Sequence, residues 1–119
     1  SSTNDSSSSA ETFSIDVSAA SSSDYILSGT VRNGSVSGND PVITISLGDT
    51  IIFNLNVSGH PFWIKTAPVT GTSNFVDFPI PGNNGGESGS ISWRSNAAGT
   101  FYYQCSLHNG MSGTIIIRP

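Results

Sequence analysis

Four side chains of this sequence are soft or borderline metal donors, and three of them fall in one short run. The segment Cys105-Ser106-Leu107-His108-Asn109-Gly110-Met111 places a thiol, an imidazole and a thioether within seven residues. It holds the single Cys, the single Met and one of the two His of the chain. The other, His60, lies upstream in Ser58-Gly59-His60-Pro61-Phe62-Trp63. One Cys, two His and one Met are the donor set of a mononuclear type 1 copper centre, a trigonal His₂Cys core with a long axial thioether. No soft or borderline donor is left over.

Each donor taken singly has an ordinary structural use. A lone Cys in a strand is usually a small buried hydrophobe, and a lone Met fills core gaps. A lone His near a turn is usually solvated or hydrogen-bonded. Their joint spacing is what points to a metal. Zinc accepts Cys and His, but a thioether is a poor zinc ligand and favours copper. A cysteine nucleophile would need a base and an activating helix N-terminus, and Tyr102-Tyr103-Gln104-Cys105 reads as a strand. Haem attachment needs two Cys ahead of the His. Donor type therefore points to one copper ion held by His60, Cys105, His108 and Met111. Four protein ligands leave no open position for a substrate, so the chain is read as a non-enzyme without catalytic residues.

The elements that must position these donors are strands. Phe13, Ile15, Val17 and Ala19 alternate with polar residues from Thr12 to Ala19, the period of a half-buried strand. Tyr25 to Val31 gives a second strand, and residues 33–41, rich in Gly, Ser and Asn, read as a loop. Val42 to Leu47 and Thr50 to Val57 continue in β-branched alternation around a Gly48-Asp49 turn. Phe62 to Thr66, Ser90 to Arg94, Thr100 to Cys105 and Gly113 to Arg118 complete the set. Residues 67–89, with Gly and Pro throughout, form a long irregular connection of the kind that is usually functional. No helical periodicity occurs. The pattern predicts an all-β, Greek-key β-sandwich of seven to eight strands. In a sandwich the end of one strand and the loop between the last two strands share a pole. Cys105, His108 and Met111 then need only His60 from a neighbouring strand, with Gly110 and Gly113 expected to let the ligand loop turn tightly. Trp63 and Trp93 read as core fillers, and of Tyr102 and Tyr103 one should face the core.

The 119 residues allow one domain and one modest core. Residues 1–11 read as a flexible Ser-rich leader and 12–119 as the domain. Charged residues are only 10 % of the chain, which resembles extracellular β-proteins more than cytosolic helical ones. A net charge of −4 with four basic residues argues against nucleic-acid binding. No apolar run approaches the ~20 residues that span a bilayer. A chain beginning at Ser1 without a signal peptide is expected to be processed or trimmed, and a lipid or linker tether is compatible with the leader.

Three segments resemble the cupredoxins of plastocyanin and amicyanin type: Gly48-Asp49-Thr50-Ile51-Ile52-Phe53, Gly59-His60-Pro61-Phe62, and Gly99-Thr100-Phe101-Tyr102-Tyr103-Gln104-Cys105. The close of the chain, Met111-Ser112-Gly113-Thr114-Ile115-Ile116-Ile117, is similar too. The Cys-x2-His-x2-Met spacing matches amicyanin. The resemblance covers roughly residues 40 to 119 and leaves the strands of residues 12–39 outside it. It implies that His60, Cys105 and His108 are equatorial ligands and Met111 the axial one. It also implies electron exit through the His108 edge, within an apolar rim of Leu107, Gly110, Pro61, Phe62 and the Phe78-Pro79-Ile80-Pro81 segment. Most cupredoxins carry Asn after the first His, with its N–H aimed at the Cys sulfur. This chain has Pro61, which lacks that N–H. Where plastocyanins and amicyanins have Pro two residues after the Cys, this chain has Leu107 with its N–H intact.

These features predict a one-electron Cu(II)/Cu(I) carrier that docks transiently on a redox partner protein near His108, in an extracellular, periplasmic or cell-surface setting. The competing reading is an extracellular assembly module whose N-terminal strand is donated to a second copy. On that reading, removal of Ser1 to Ser22 leaves a folded monomer.

Overall fold

The computed structural model describes residues 10–32, 34–76, 84–94 and 97–119. The leader up to residue 9 and the 78–81 segment of the expected rim lie outside them. Among the described residues nine strands follow one another, where seven to eight are expected: β1 (Thr12–Ser18), β2 (Ile26–Val31), β3 (Gly34–Asn39), β4 (Ile43–Ser46), β5 (Thr50–Asn56), β6 (Phe62–Lys65), β7 (Ser88–Trp93), β8 (Gly99–Cys105) and β9 (Ser112–Arg118). They form two sheets, one in the order β3-β2-β1-β5-β7 and the other β4-β9-β8-β6. The architecture is the all-β sandwich that the alternation predicts.

Period-two patterning builds the core directly. Ile15 and Val17 of β1, Ile51 and Phe53 of β5, and Ile91 and Trp93 of β7 point inward from the first sheet. Ile43, Ile45, Phe62, Ile64, Tyr103, Cys105, Ile115 and Ile117 meet them from the second. Trp93 is buried as expected, whereas Trp63 sits half-buried beside Phe75, with ring centroids 5.8 Å apart. Of the tyrosine pair, Tyr103 faces the core.

Two N-terminal features differ from the sequence reading. Residues 34–39 form β3, not a loop, and pair antiparallel with β2 from Ile26↔Asn39 to Val31↔Gly34. Only Val36 of this edge strand is buried, so it has no apolar alternation to betray it. More consequentially, β1 is an interior strand. It pairs antiparallel with β2 and parallel with β5, from Thr12↔Thr50 to Ser18↔Asn56. Both of its edges are occupied within the sheet, and its Ile15 and Val17 side chains lie in the core. This placement differs from that of a dispensable appendage, the setting in which removal of residues up to 22 would leave the fold intact.

The pole away from the ligand loop is closed by Asp49, which is almost fully buried. Arg32 grips both carboxylate oxygens, Nε at 2.9 Å and Nη2 at 2.5 Å. The Ser46 and Glu11 N–H groups also donate to it, at 2.9 and 3.0 Å. Burial pushes the carboxyl up, but these donors outweigh it and hold it below the usual carboxylate range. A carboxylate depressed in the folded state stabilises above its unfolded pKa and loses that contribution as pH falls through the folded value. Asp49→Ala should cost about 1–3 kcal/mol at neutral pH, the range for leaving buried donors without their acceptor. In urea titrations the gap to the wild type should close progressively below about pH 4. A gap that does not change with pH would mean that the ionised carboxylate is not what stabilises this pole.

Candidate metal centre

Strand register brings the four predicted donors to one pole. β6 runs antiparallel to β8 with Phe62 opposite Cys105, so the turn ahead of β6 lies beside the end of β8. His60 is in that turn. Cys105 is the last residue of β8, and His108 and Met111 follow in the connection to β9.

The His60 turn is fixed from three directions. Its own N–H donates to the Val57 carbonyl at 2.8 Å. Gly59 takes a φ of 84°, a conformation that L side chains resist, and its N–H donates to Glu87 Oε1 at 2.7 Å. The buried Tyr25 hydroxyl shares its one proton between the carbonyls of His60 and Pro61, at 3.0 and 2.8 Å. Burial first, and the neighbouring Cys105 thiol second, raise the Tyr25 hydroxyl far above the usual tyrosine range, so it remains a donor. Tyr25 precedes β2 and was not singled out by sequence, since only the fold brings it to residue 60.

The ligand loop is equally constrained. The Cys105 N–H donates to the Met111 carbonyl at 2.9 Å, and the Met111 N–H to the His108 carbonyl at 3.2 Å. Gly113 lies opposite Tyr103 in the β8–β9 ladder, where any Cβ would collide with the tyrosine ring. That glycine is needed for close packing, and neither it nor Gly110 takes the positive φ expected of a tight turn. The connection after β6 reaches the loop as well, through the Gly71 N–H to the Ser106 carbonyl at 2.9 Å.

Within this frame His60 Nδ1 lies 3.2 Å from His108 Nδ1, and Cys105 Sγ lies 3.5 Å from His108 Nδ1. One donor atom from each of these three residues falls within 4.8 Å of the others. A metal–nitrogen distance of about 2.0 Å and a metal–sulfur distance of about 2.3 Å produce such separations at angles of roughly 110°. The donor set therefore fits one ion. Cys105 and Met111 are fully buried, whereas both imidazoles are only partly covered and Leu107 is 63 % exposed. The Leu107 N–H donates to Cys105 Sγ at 3.4 Å, so the loop does supply the sulfur with a backbone donor.

No family model and no curated protein sequence matches the chain. Solved structures do. A copper protein rusticyanin structure is 21 % identical with a TM-score of 0.60, over 92 % of this chain and 80 % of that one. Rusticyanin from Thiobacillus ferrooxidans is 23 % identical with a TM-score of 0.59, over 92 % and 79 % of the two chains. Reduced rusticyanin gives 21 % and 0.57, over 92 % and 81 %. The chain has the cupredoxin fold. The likeness extends over 92 % of the chain and therefore takes in most of residues 12–39, which the sequence resemblance leaves outside. A cupredoxin-like fold with a cluster of one thiol and two imidazoles supports a single copper ion as cofactor. No helix among the described residues is long and apolar enough to cross a membrane.

Proposed function

We propose that this chain is a type 1 copper protein that carries single electrons, in which His60, Cys105, His108 and Met111 would hold the ion. The clustering of two imidazoles with one buried thiol, each offering a donor atom within 4.8 Å of the others, carries this reading. Copper bound there supplies a one-electron Cu(II)/Cu(I) couple. The protein's part is to hold four donors in one arrangement suited to both oxidation states. Tyr25 and Glu87 hold the His60 turn, and the backbone bonds between Cys105, His108 and Met111 hold the loop. Burial of Cys105 and Met111 keeps water from the sulfur donors. With four protein ligands no substrate position is left, and the activity is transfer rather than catalysis.

The exit route is the partly exposed His108 edge. Leu107 stands exposed beside it, and the Gly71–Ser106 bond ties the loop carrying the exposed Val69 to the same pole. A small apolar surface around a redox edge suits a brief encounter with a partner protein. The low charged content supports an extracellular, periplasmic or cell-surface setting.

Titration with Cu(II) tests the reading. One equivalent should generate intense visible absorption from thiolate-to-copper charge transfer, with saturation at a 1:1 ratio. A colourless complex would sink it.

The sulfur's hydrogen bonding gives a second expectation. An N–H donated to the thiolate withdraws electron density and favours Cu(I). Leu107→Pro removes the donor seen at 3.4 Å and should lower the reduction potential. Pro61→Asn adds an N–H next to His60 and should raise it. A differential of about 1.4 kcal/mol corresponds to about 60 mV for one electron. Protein-film voltammetry that finds shifts of the same sign, or none, would exclude thiolate hydrogen bonding as the control.

A further inference from the structure

We propose that Gln104 is a positioning residue of the metal site, a side-chain clamp that sets the conformation of the 105–111 loop before any metal arrives. Its role rests on the copper function proposed for that loop. Gln104 sits between Tyr103 and Cys105, which both face the core, so its side chain emerges on the outer face of the sheet, opposite Trp63. An outward residue of an edge-proximal strand is ordinarily solvated, yet Gln104 is fully buried.

Its amide nitrogen explains the placement. Nε2 donates to the carbonyls of Cys105 at 2.9 Å, His108 at 3.1 Å and Asn109 at 3.4 Å. Two N–H bonds serve three acceptors, one being shared. Two of these carbonyls belong to ligand residues, and the His108 carbonyl also accepts the Met111 N–H. One side chain thus fixes the peptide planes that follow Cys105 and His108, the planes whose rotation would swing the imbedded donors apart.

The other end of the amide shows that the orientation is imposed. Oε1 is buried and has no hydrogen-bond partner among the described residues. Inverting the amide would set this oxygen against three carbonyl oxygens, so the loop dictates which way it points. A buried acceptor left unsatisfied is unfavourable, and the arrangement persists because three carbonyls need the donor more. From outside, Gly71 holds the Ser106 carbonyl, and Lys65 Nζ donates to the Gly71 carbonyl at 2.6 Å. The ligand loop is therefore held through four carbonyls, three by Gln104 and one by the Gly71 N–H.

Two variants separate donor from shape. Gln104→Met keeps the length and removes both the donor and the unsatisfied oxygen, and Gln104→Glu keeps the shape and replaces the donor with an acceptor. In the metal-free protein, NMR hydrogen exchange of the Met111 N–H should accelerate about tenfold in both, the equivalent of one net hydrogen bond. Amides of β5 should keep their rates. Unchanged Met111 exchange, or equal acceleration in β5, would overturn the clamp. If neither variant folds, the unmodified protein decides. Its Gln104 NH₂ protons should exchange at least about tenfold more slowly than those of free glutamine, and the free rate would refute the assignment. Loaded with Cu(II), both variants should shift the visible band while retaining colour. Because exchange is measured without metal, a colourless wild type would overturn the copper reading alone and leave the clamp to be judged by exchange.

Discussion

Cys105→Ala should abolish the visible absorption that Cu(II) produces in the wild-type protein while leaving the fold intact. The thiolate is the only donor of the four that can give intense charge transfer to copper. Without it the cluster is reduced to two partly exposed imidazoles and a buried thioether. Affinity for Cu(II) should fall by more than the 10–100-fold typical of losing a group that only supports a ligand, roughly 100-fold or beyond. The apoprotein should lose only about 1 kcal/mol, because a single buried sulfur leaves a small cavity. Absorption spectroscopy checks the first part and urea unfolding of the apoprotein the second. Retained colour would remove Cys105 from the site.

Deleting residues 1–22 should unfold the domain. β1 lies between β2 and β5, and its removal strips both neighbours of a paired edge at the centre of the sheet. Ile15 and Val17 leave the core, at about 1.5–3 kcal/mol each. Two ladders of backbone hydrogen bonds go with them, each bond contributing about 1 kcal/mol. These losses together exceed what a domain with a net stability of about 5–15 kcal/mol can absorb. Far-UV circular dichroism and urea titration of the truncated chain provide the measurement. A cooperative unfolding transition there would show that β2 and β5 close the sandwich without β1.

What could be read from the sequence follows from where each signal is stored. Alternation in Phe13-Ile15-Val17 and in Thr50 to Val57 is local, and it gave both strands within a residue or two. The cluster of His60, Cys105 and His108 was legible because two of its members fall on one connection and the third is the only other His. β3 escaped because a strand with Val36 as its single buried side chain has no periodicity. The central position of β1 escaped because pairing partners are set by the sandwich as a whole. Tyr25 and Gln104 were invisible for a related reason. Nothing near Tyr25 in sequence foretells the His60 carbonyl, 35 residues away. Alternation assigns Gln104 to the outer face correctly, but its burial is created by loops folding over that face.

Each sheet contains a parallel pair joining distant stretches of chain: β1 with β5, and β4 with β9, where Ile43 meets Ile115 and Ser46 meets Arg118. Parallel partners cannot be zipped from a hairpin, so large loops must close before these contacts reward the chain. Folding should therefore be slow for a domain of this size, in the millisecond-to-second range of β-sandwiches. During synthesis β4 waits with an unpaired edge until β9 emerges. Since β9 also anchors the loop bearing His108 and Met111, the nascent protein should capture no ion at this pole until β9 has been added.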